Sequence, residues 1–376
     1  MITEESMIYS ENEILQYVEE NDVKFVKLTF CDINGKLKNI SILSSELAVT
    51  FERGVRITAK KITGFEAAQG KDLFLFPDAG TMTLLPWRPQ QGRVIRFFCD
   101  IKYPDGTPFE GDGRFFLKTA EEYARSKGYD FKIGTSCEFY VCRTDDDGLP
   151  LKIPHDNAGY CDAAPFDKGE NLRRDICLTL EQMDILPENS HHEAGPGQNE
   201  INFECSQPLN AADNFVTFKN VTKTSAARGG LYASFMPKLY KNEAGSGLHI
   251  SIDCRKNGKD IFAPNGGELS EDAGAMIMGL MENIPDITVF LNSVPNSYAR
   301  LGCGSAPKYI SWSHYNFSQL IRLPNDKNGG RLILTSPDST CSPYFAIGLI
   351  IYACLDGINR GLKLCERVDK KLSDDA

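Results

Sequence analysis

The 376-residue sequence has few long apolar runs, and its first residues do not have the pattern of a secretory leader. Its longest apolar run, residues 344–355, is interrupted by Gly348 and falls short of the roughly 20 residues that cross a bilayer. The first residues, MITEESMIYSENE, are acidic where a secretory signal is basic and then apolar. These absences predict a cytoplasmic protein with no membrane partner.

The sequence also lacks a basic surplus and paired cysteines. A net charge of −10 and a pI near 5.2 argue against nonspecific binding to nucleic acids or anionic lipids, since both require a basic surface. The 12 cysteines form no CxxC pair, so in a cytoplasmic chain they predict reduced thiols. No GxxxxGK[ST] loop occurs, and no GxGxxG follows a strand. The sequence therefore predicts a small-molecule partner.

Alternating apolar and polar residues at 25–42 flank Asn34-Gly35, a dipeptide that favours a type I′ hairpin turn. Residues 113–127 have apolar positions at helical spacing, and a turn precedes them. We therefore expect a domain boundary near residue 105, with an N-terminal domain at 12–104 and a larger domain at 105–376.

Three predicted strands of the larger domain carry polar side chains on one face. Alternation places Ser136 and Glu138 on that face of the first strand. The same parity places Glu200 and His249 on the polar faces of two more strands. Because helices separate the strands, the mixed order predicts an α+β fold. The predicted helices span residues 172–183, 214–232 and 272–290.

These polar faces suggest a metal site. Glu138, Glu200 and His249, together with His191-His192-Glu193, would supply three carboxylates and imidazoles, which suit Mg²⁺ or Mn²⁺. Each residue alone is a weak indication, since a single glutamate on a strand is usually solvated. Gly245-Ser246-Gly247 is either a flexible turn or a close approach of backbone to a ligand.

Longer strings around these residues resemble glutamine synthetases, especially the shorter bacterial type. The resemblance covers roughly residues 12–360 and implies a small β-grasp domain followed by a catalytic domain with a curved antiparallel sheet flanked by helices. The strings occur in the family's order: GYCDAAPFDKGENLRRDI, SHHEAGPGQNEINF, ASFMPKLYKNEAGSGLH, NSYARL, IRLP and SPDSTCSPYF.

The resemblance assigns roles to matching positions. Glu138, Glu193 and Glu200 correspond to the ligands of the family's first metal, beside bound glutamate. His249 corresponds to the histidine of the second metal and lies near the substrate. Gly245 would contact the substrate's amino end, and a bidentate fork from Arg300 would bind its carboxylate. Among these, the predicted catalytic residues are Glu193, Glu200 and Arg300; Arg322 and Arg331 match arginines near the nucleotide phosphates.

The departures from the family pattern lie mainly at the second metal. Ser136 and Ile333 occupy the places of its two carboxylate ligands, which leaves His249 alone. Leu332 and Leu334 flank Ile333 on the core face, so Ile333 should project into the cleft. The second metal normally offsets charge in phosphoryl transfer, so its loss argues against ATP chemistry.

Other family positions also differ. Thr58 and Lys61 occupy the places of N-terminal residues that help to bind ammonium in the family. The positive charge of Lys61 would repel an ammonium ion. The resemblance further implies a homo-oligomeric ring. The sequence matches only the first part of the family's C-terminal region. Stacking of one ring on another and adenylylation, which depend on the rest of that region, are therefore not expected. The remaining departures are Thr335 and Phe317 in place of arginines and Ser305 in place of the flap glutamate.

Three hypotheses follow. The favoured one is an enzyme with one divalent ion, Mg²⁺, Mn²⁺ or Zn²⁺, that acts on a glutamate-like substrate without ATP by hydrolysis, deamidation or rearrangement. The second is an ATP-dependent ligase that joins glutamate to an amine other than ammonia. The third is a catalytically inactive homologue that serves as a sensor or scaffold. Retention of all three first-metal carboxylates favours a bound ligand, because unpaired buried carboxylates cost stability.

Overall fold

The computed structural model describes residues 9–263, 269–316, 318–324 and 330–370. The chain divides into two compact units, Met1–Phe116 with Glu181–Ile185 and Leu117–Leu180 with Leu186–Ala376. Short strands and helices follow one another in mixed order, which confirms the predicted α+β class. The boundary predicted near residue 105 lies between a strand that ends at Lys102 and a helix that starts at Gly113, and it stays a proposal.

The first unit contains a six-stranded sheet in the order β2-β1-β6-β4-β3, with β5 paired to β6. Strands β1 and β6 run parallel and the other pairs are antiparallel. Helices α1 and α2 contribute to its core with Ile14, Val18 and Leu47. The elements are α1 (Glu11–Glu20), β1 (Val23–Cys31), β2 (Leu37–Leu43), α2 (Leu47–Arg53), β3 (Val55–Ile57), β4 (Leu73–Pro77), β5 (Thr83–Leu84) and β6 (Arg93–Lys102).

The predicted hairpin exists, but its turn differs from the prediction. Strands β1 and β2 pair from Phe25 with Leu43 to Cys31 with Leu37, so five residues connect them. The Asp32 carboxylate accepts hydrogen bonds from the backbone N–H groups of Asn34 at 3.1 Å and Lys36 at 3.0 Å. In the Asn34-Gly35 pair only Gly35 has a positive φ, 68°. The type I′ prediction is wrong because the Asp32 side chain stabilises a longer turn.

The second unit is built on a ten-stranded sheet in the order β14-β15-β16-β12-β7-β10-β9, with β8 and β11 paired to β7 and β13 to β12. Strands β14 and β15 are parallel and the other pairs are antiparallel. The strands are β7 (Tyr129–Thr144), β8 (Pro150–Pro154), β9 (Pro187–His192), β10 (Gln198–Ser206), β11 (Leu231–Ser234), β12 (Leu248–Lys256), β13 (Lys259–Asp260), β14 (Trp312–Ser313), β15 (Ile321–Arg322) and β16 (Leu332–Leu334).

Within the described residues, six α-helices follow α2. Four of them confirm the predicted helical segments, although α5 begins earlier than expected because Pro208 occupies its first turn, where no N–H is needed. The helices are α3 (Gly113–Ser126), α4 (Glu170–Glu181), α5 (Pro208–Arg228), α6 (Glu271–Leu291), α7 (Pro295–Tyr298) and α8 (Pro343–Arg360).

Among the described residues, α6 alone is long and apolar enough to cross a bilayer by length and composition. Half of its apolar window is buried inside the protein, as in a core helix. Gly279 of α6 meets Gly357 of α8 so closely that a Cβ at Gly279 would lie 2.7 Å from the Gly357 nitrogen. The buried apolar residues of α6 therefore contribute to packing between helices.

Candidate metal and amino-acid site

The register of β9, β10, β7 and β12 brings the predicted polar residues to one sheet face. Glu200 lies directly opposite Glu138, and His191 lies opposite Glu200. Ser136, two residues before Glu138 in β7, lies opposite His249 of β12. The alternation predicted from the sequence is confirmed, since the intervening residues of β7 and β12 are buried in the core.

Four side chains form what we call the carboxylate cluster: Glu138, His191, Glu193 and Glu200. Possible ligand atoms of His191, Glu193 and Glu200 all lie within 4.8 Å of one another. His191 Nε2 and Glu193 Oε1 are 3.0 Å apart, and the other Glu193 oxygen accepts a hydrogen bond from the Ala194 N–H at 2.9 Å. His191, Glu193 and Glu200 therefore bring carboxylate oxygens and one imidazole close together, and Glu138 lies opposite Glu200 on the next strand.

Burial makes this cluster electrostatically unfavourable when all of its carboxylates are ionised. Burial and the nearby Glu200 raise the pKa of Glu138 to about 8. Burial and Glu193 raise the pKa of Glu200 to about 7. The hydrogen bond to Glu193 raises the pKa of His191. A divalent cation would offset this repulsion, and hard carboxylate oxygens suit Mg²⁺ and Mn²⁺. The donor set therefore fits the expected metal.

Glu138 is held in place by the chain. Its Oε2 accepts hydrogen bonds from the Gly247 N–H at 2.7 Å and from Gln198 Nε2 at 3.4 Å. Gln198 is 1% exposed, and its amide also donates to the Gly245 carbonyl at 3.0 Å. Gln198 thus connects the start of β10 to the glycine segment before β12. We did not predict this residue because no local pattern in the sequence marks its partner.

Arg300, the predicted carboxylate-binding residue, is 3% exposed. Its Nη2 donates to the carbonyls of Ser336 and, at 2.9 Å, Pro337. Burial lowers its pKa. A Cβ at Gly245 would collide with Arg300 Cγ and lie 2.9 Å from the Pro237 carbonyl oxygen. The structure thus gives Gly245 a packing role against Arg300 that neither sequence interpretation included.

Beside the carboxylate cluster lies a region without acidic ligands, which we call the neutral region: Ser136, His249 and Ile333. Ile333 pairs with Ser251 of β12 and with Arg322 of β15, while its flanking leucines are buried. This confirms the predicted orientation of Ile333 toward the polar face. Burial, together with Arg300 and Arg322, lowers the pKa of His249 to about 4. Its imidazole is therefore neutral at pH 7.

The other predicted site residues have varied surroundings. Thr335 is buried, and its hydroxyl donates to the Gln319 carbonyl at 2.9 Å, so it packs into the protein. Arg322 is half-buried, whereas Arg331 and Ser305 are exposed. Thr58 and Lys61 are exposed in the first unit, at a short 3₁₀ turn. Phe317 lies outside the described residues.

The structure adds two features near the cluster that we did not predict. The Tyr160 ring meets the His191 ring edge to face, with centroids 5.5 Å apart. His192, half of a histidine pair noted in the sequence, points away from the cluster to the buried Asp156, with Nε2 and Oδ1 2.9 Å apart. The His-His doublet was the one signal for this contact, and spacing could not identify its partner.

A small β-grasp unit followed by a large antiparallel sheet with clustered carboxylates defines the class of glutamine synthetase folds. Sequence comparison agrees. The family described as "Glutamine synthetase, beta-Grasp domain" matches residues 22–104, and "Glutamine synthetase, catalytic domain" matches residues 110–376. The chain belongs to the glutamine synthetase family.

Individual members of the family are similar to this chain over most of their length. Glutamine synthetase from Clostridium saccharobutylicum is 42% identical over 359 residues, which cover 94% of this chain and 81% of the relative. The solved ADP complex of GmaS has a TM-score of 0.86 and 26% identity, covering 95% of this chain and 83% of its own. Plasmodium falciparum glutamine synthetase has the same TM-score of 0.86 at 24% identity, with 94% and 76% coverage, and supports the fold alone.

Proposed function

We propose that this protein binds a divalent metal ion through Glu138, Glu193 and Glu200 and a glutamate-like amino acid beside it. The convergence of Glu193, Glu200 and His191 within 4.8 Å carries this proposal. Glu138, directly opposite Glu200, would complete the set. When bound, the ion would polarise a substrate oxygen and position it. Arg300, adjacent to the glycine segment, would bind the substrate carboxylate.

For the reaction, we propose ATP-dependent ligation of glutamate to ammonia or another amine as the first activity to test. The sequence alone had favoured chemistry without ATP over this ligation, so the order of the two hypotheses is reversed. Similarity to a relative named glutamine synthetase, 42% identical over 94% of this chain, favours the family reaction over its loss. A solved ADP complex with a TM-score of 0.86 to this chain makes nucleotide binding a reasonable expectation. Arg322, on the polar face opposite Ile333, would approach the phosphates.

A second candidate is chemistry without ATP at a single metal ion, or binding without catalysis. The neutral region favours it, because His249 faces Ser136 where the resemblance implies a second-metal carboxylate. Ile333 on the same face offers no ligand either. The number of ions per chain therefore distinguishes this candidate from the family reaction. A homo-oligomeric ring and a cytoplasmic location remain proposals of the same kind.

Calorimetry and product detection test these candidates together. Purified protein with Mg²⁺ or Mn²⁺ is titrated with glutamate and with a non-hydrolysable ATP analogue. Phosphate release is then followed with glutamate plus ammonium or methylamine. Ligation requires nucleotide binding and amine-dependent phosphate release. Absence of nucleotide binding up to millimolar concentration would exclude ligation, and absence of bound metal would exclude the site itself.

The matched control is Glu204→Gln, a change at the far end of β10, away from the cluster. It should leave metal and glutamate binding unchanged, whereas Glu138→Gln should weaken both. If both variants bind the metal as well as the unaltered protein, the carboxylate cluster is not the metal site.

A further inference from the structure

Asp156 lies behind the carboxylate cluster and is 8% exposed. Its Oδ1 accepts hydrogen bonds from His192 Nε2 and from the Gly197 N–H, both at 2.9 Å. Its Oδ2 accepts one from the Lys168 N–H at 3.0 Å. One carboxylate therefore connects the end of β9, the turn before β10 and the segment that precedes α4.

His192 extends this connection to a candidate metal ligand. It is 1% exposed, and its Nδ1 lies 2.6 Å from the carbonyl oxygen of Glu193. Gly197, at the other end of the same turn, has a positive φ of 69°, and a Cβ there would lie 2.8 Å from the Val141 carbonyl oxygen. Both ends of the turn at residues 193–197 are thus tied to Asp156.

A second set of contacts holds the following strand. Asp167 pairs with Arg173 at 2.5 Å, and Arg173 donates to Asn199 Oδ1 at 2.5 Å. Asn199 donates in turn to the Gly197 carbonyl at 3.0 Å. Asn199 immediately precedes Glu200 in β10. The two aspartates therefore hold the turn and the strand that present Glu193 and Glu200.

Holding this turn matters because Glu193, at its start, and Glu200, in β10, repel each other. A turn free to relax would separate Glu193 from Glu200 and lower the density of ligand atoms. We propose that Asp156 is a positioning residue that, through His192 and Gly197, keeps Glu193 close enough to Glu200 to share one cation. This inference rests on the proposed metal binding. Partners behind metal ligands commonly contribute about 10–100-fold to metal affinity.

The test is Mn²⁺ affinity, measured from the electron paramagnetic resonance signal of free Mn²⁺ over a titration. Asp156→Asn should weaken Mn²⁺ binding about 10–100-fold. Its matched control is Asp112→Asn in the first unit, another buried aspartate, which accepts from the Ile101 and Arg114 N–H groups at 3.1 and 3.0 Å. The control should lower the melting temperature and leave Mn²⁺ affinity unchanged.

If Asp156→Asn does not fold, His192→Gln replaces it, because that variant keeps Asp156 and its backbone donors. We expect about tenfold weaker Mn²⁺ binding from it. A folded Asp156→Asn or His192→Gln variant with affinity within about twofold of the unaltered protein would overturn the positioning role. Failure of the unaltered protein to bind Mn²⁺ would instead overturn the proposed function.

Discussion

The carboxylate cluster and the neutral region are neighbours on one sheet face, and they meet on β7, where Glu138 and Ser136 are two residues apart. Around the cluster, the Gly247 N–H and Gln198 donate to Glu138, and the Asp156 network holds the backbone of the turn that begins at Glu193. In the neutral region, Ile333 is apolar and pairs with Arg322, and the nearby Thr335 hydroxyl donates to a backbone carbonyl. The chain therefore gathers carboxylates in one region, whereas the charged groups nearest the other are the arginines Arg300 and Arg322.

This difference argues for a ligand at the cluster. Buried carboxylates without a counter-charge cost free energy of folding, and hydrogen-bond donors offset that cost only in part. Neutral side chains in the adjacent region remove the same cost. The comparison thus separates a region whose carboxylates favour a bound cation from one in which His249 is the metal-ligating side chain, and four measurements can test it.

The largest expected effect is from Glu200→Gln. Removing a direct ligand should weaken Mn²⁺ binding by more than about 100-fold, since partners behind ligands alone contribute about 10–100-fold. The same change removes repulsion from Glu193, so the metal-free variant should melt at a higher temperature than the unaltered protein. Calorimetry and thermal melting measure the two effects. Unchanged Mn²⁺ affinity would place the ion elsewhere.

The second-largest effect is a pH dependence of the folding stability of the metal-free protein. The folded-state pKa values of Glu138, about 8, and Glu200, about 7, lie above the ordinary value of 4.5. The stability that these groups contribute is therefore fully present below pH 4.5 and is lost as the pH rises through 7–8.

Denaturant unfolding in EDTA at pH 5.5 and 8.5 measures this loss. Relative to Glu200→Gln, the unaltered protein should lose on the order of 1–3 kcal/mol between these pH values. Excess Mn²⁺ should reduce the difference. A parallel pH response of the two proteins would mean that Glu200 has an ordinary pKa.

A smaller effect is expected from Gly245→Ala, which tests the backbone that supports Glu138 and Arg300. The new Cβ would collide with Arg300 Cγ, so the free energy of unfolding should fall by about 1–3 kcal/mol and glutamate affinity should drop. The control is Gly229→Ala, where the nearest atoms to a Cβ lie at an ordinary 3.5 Å. Equal stability of the two variants would contradict the close packing of Arg300.

The smallest effect should come from restoring charge to the neutral region. The double change Ser136→Glu and Ile333→Glu would return two carboxylates beside His249, so Mn²⁺ binding should rise from one ion per chain to two, with a weaker second site. Metal stoichiometry by elemental analysis and calorimetry measures this. Two ions already bound to the unaltered protein would remove the distinction between the regions.

Local alternation in the sequence predicted most of what positions the site. The parity of β7, β12 and β16 was sufficient to orient Glu138, His249 and Ile333, because neighbouring side chains on a strand alternate between faces. The hairpin turn was misassigned because the Asp32 side chain competes with the Asn34-Gly35 preference.

Contacts between distant segments were not predictable. Asp156 reaches His192 across 36 positions, and Arg300 reaches the carbonyl of Pro337 across 37. No local periodicity encodes such pairs, and they depend on how the turns lie once the sheet has formed. The roles of the individual site residues remain predictions for the same reason.

Two carbonyl oxygens and two closely packed glycines, Gly245 and Gly247, restrict the Arg300 side chain. A free arginine has about 2 kcal/mol of rotamer entropy, and a binding partner normally bears that cost when it immobilises the side chain. In this protein the Arg300 side chain loses that rotamer entropy when the chain folds. An amino-acid carboxylate reaching Arg300 would thus meet a receptor that is already rigid, which favours small ligands with few contacts of their own.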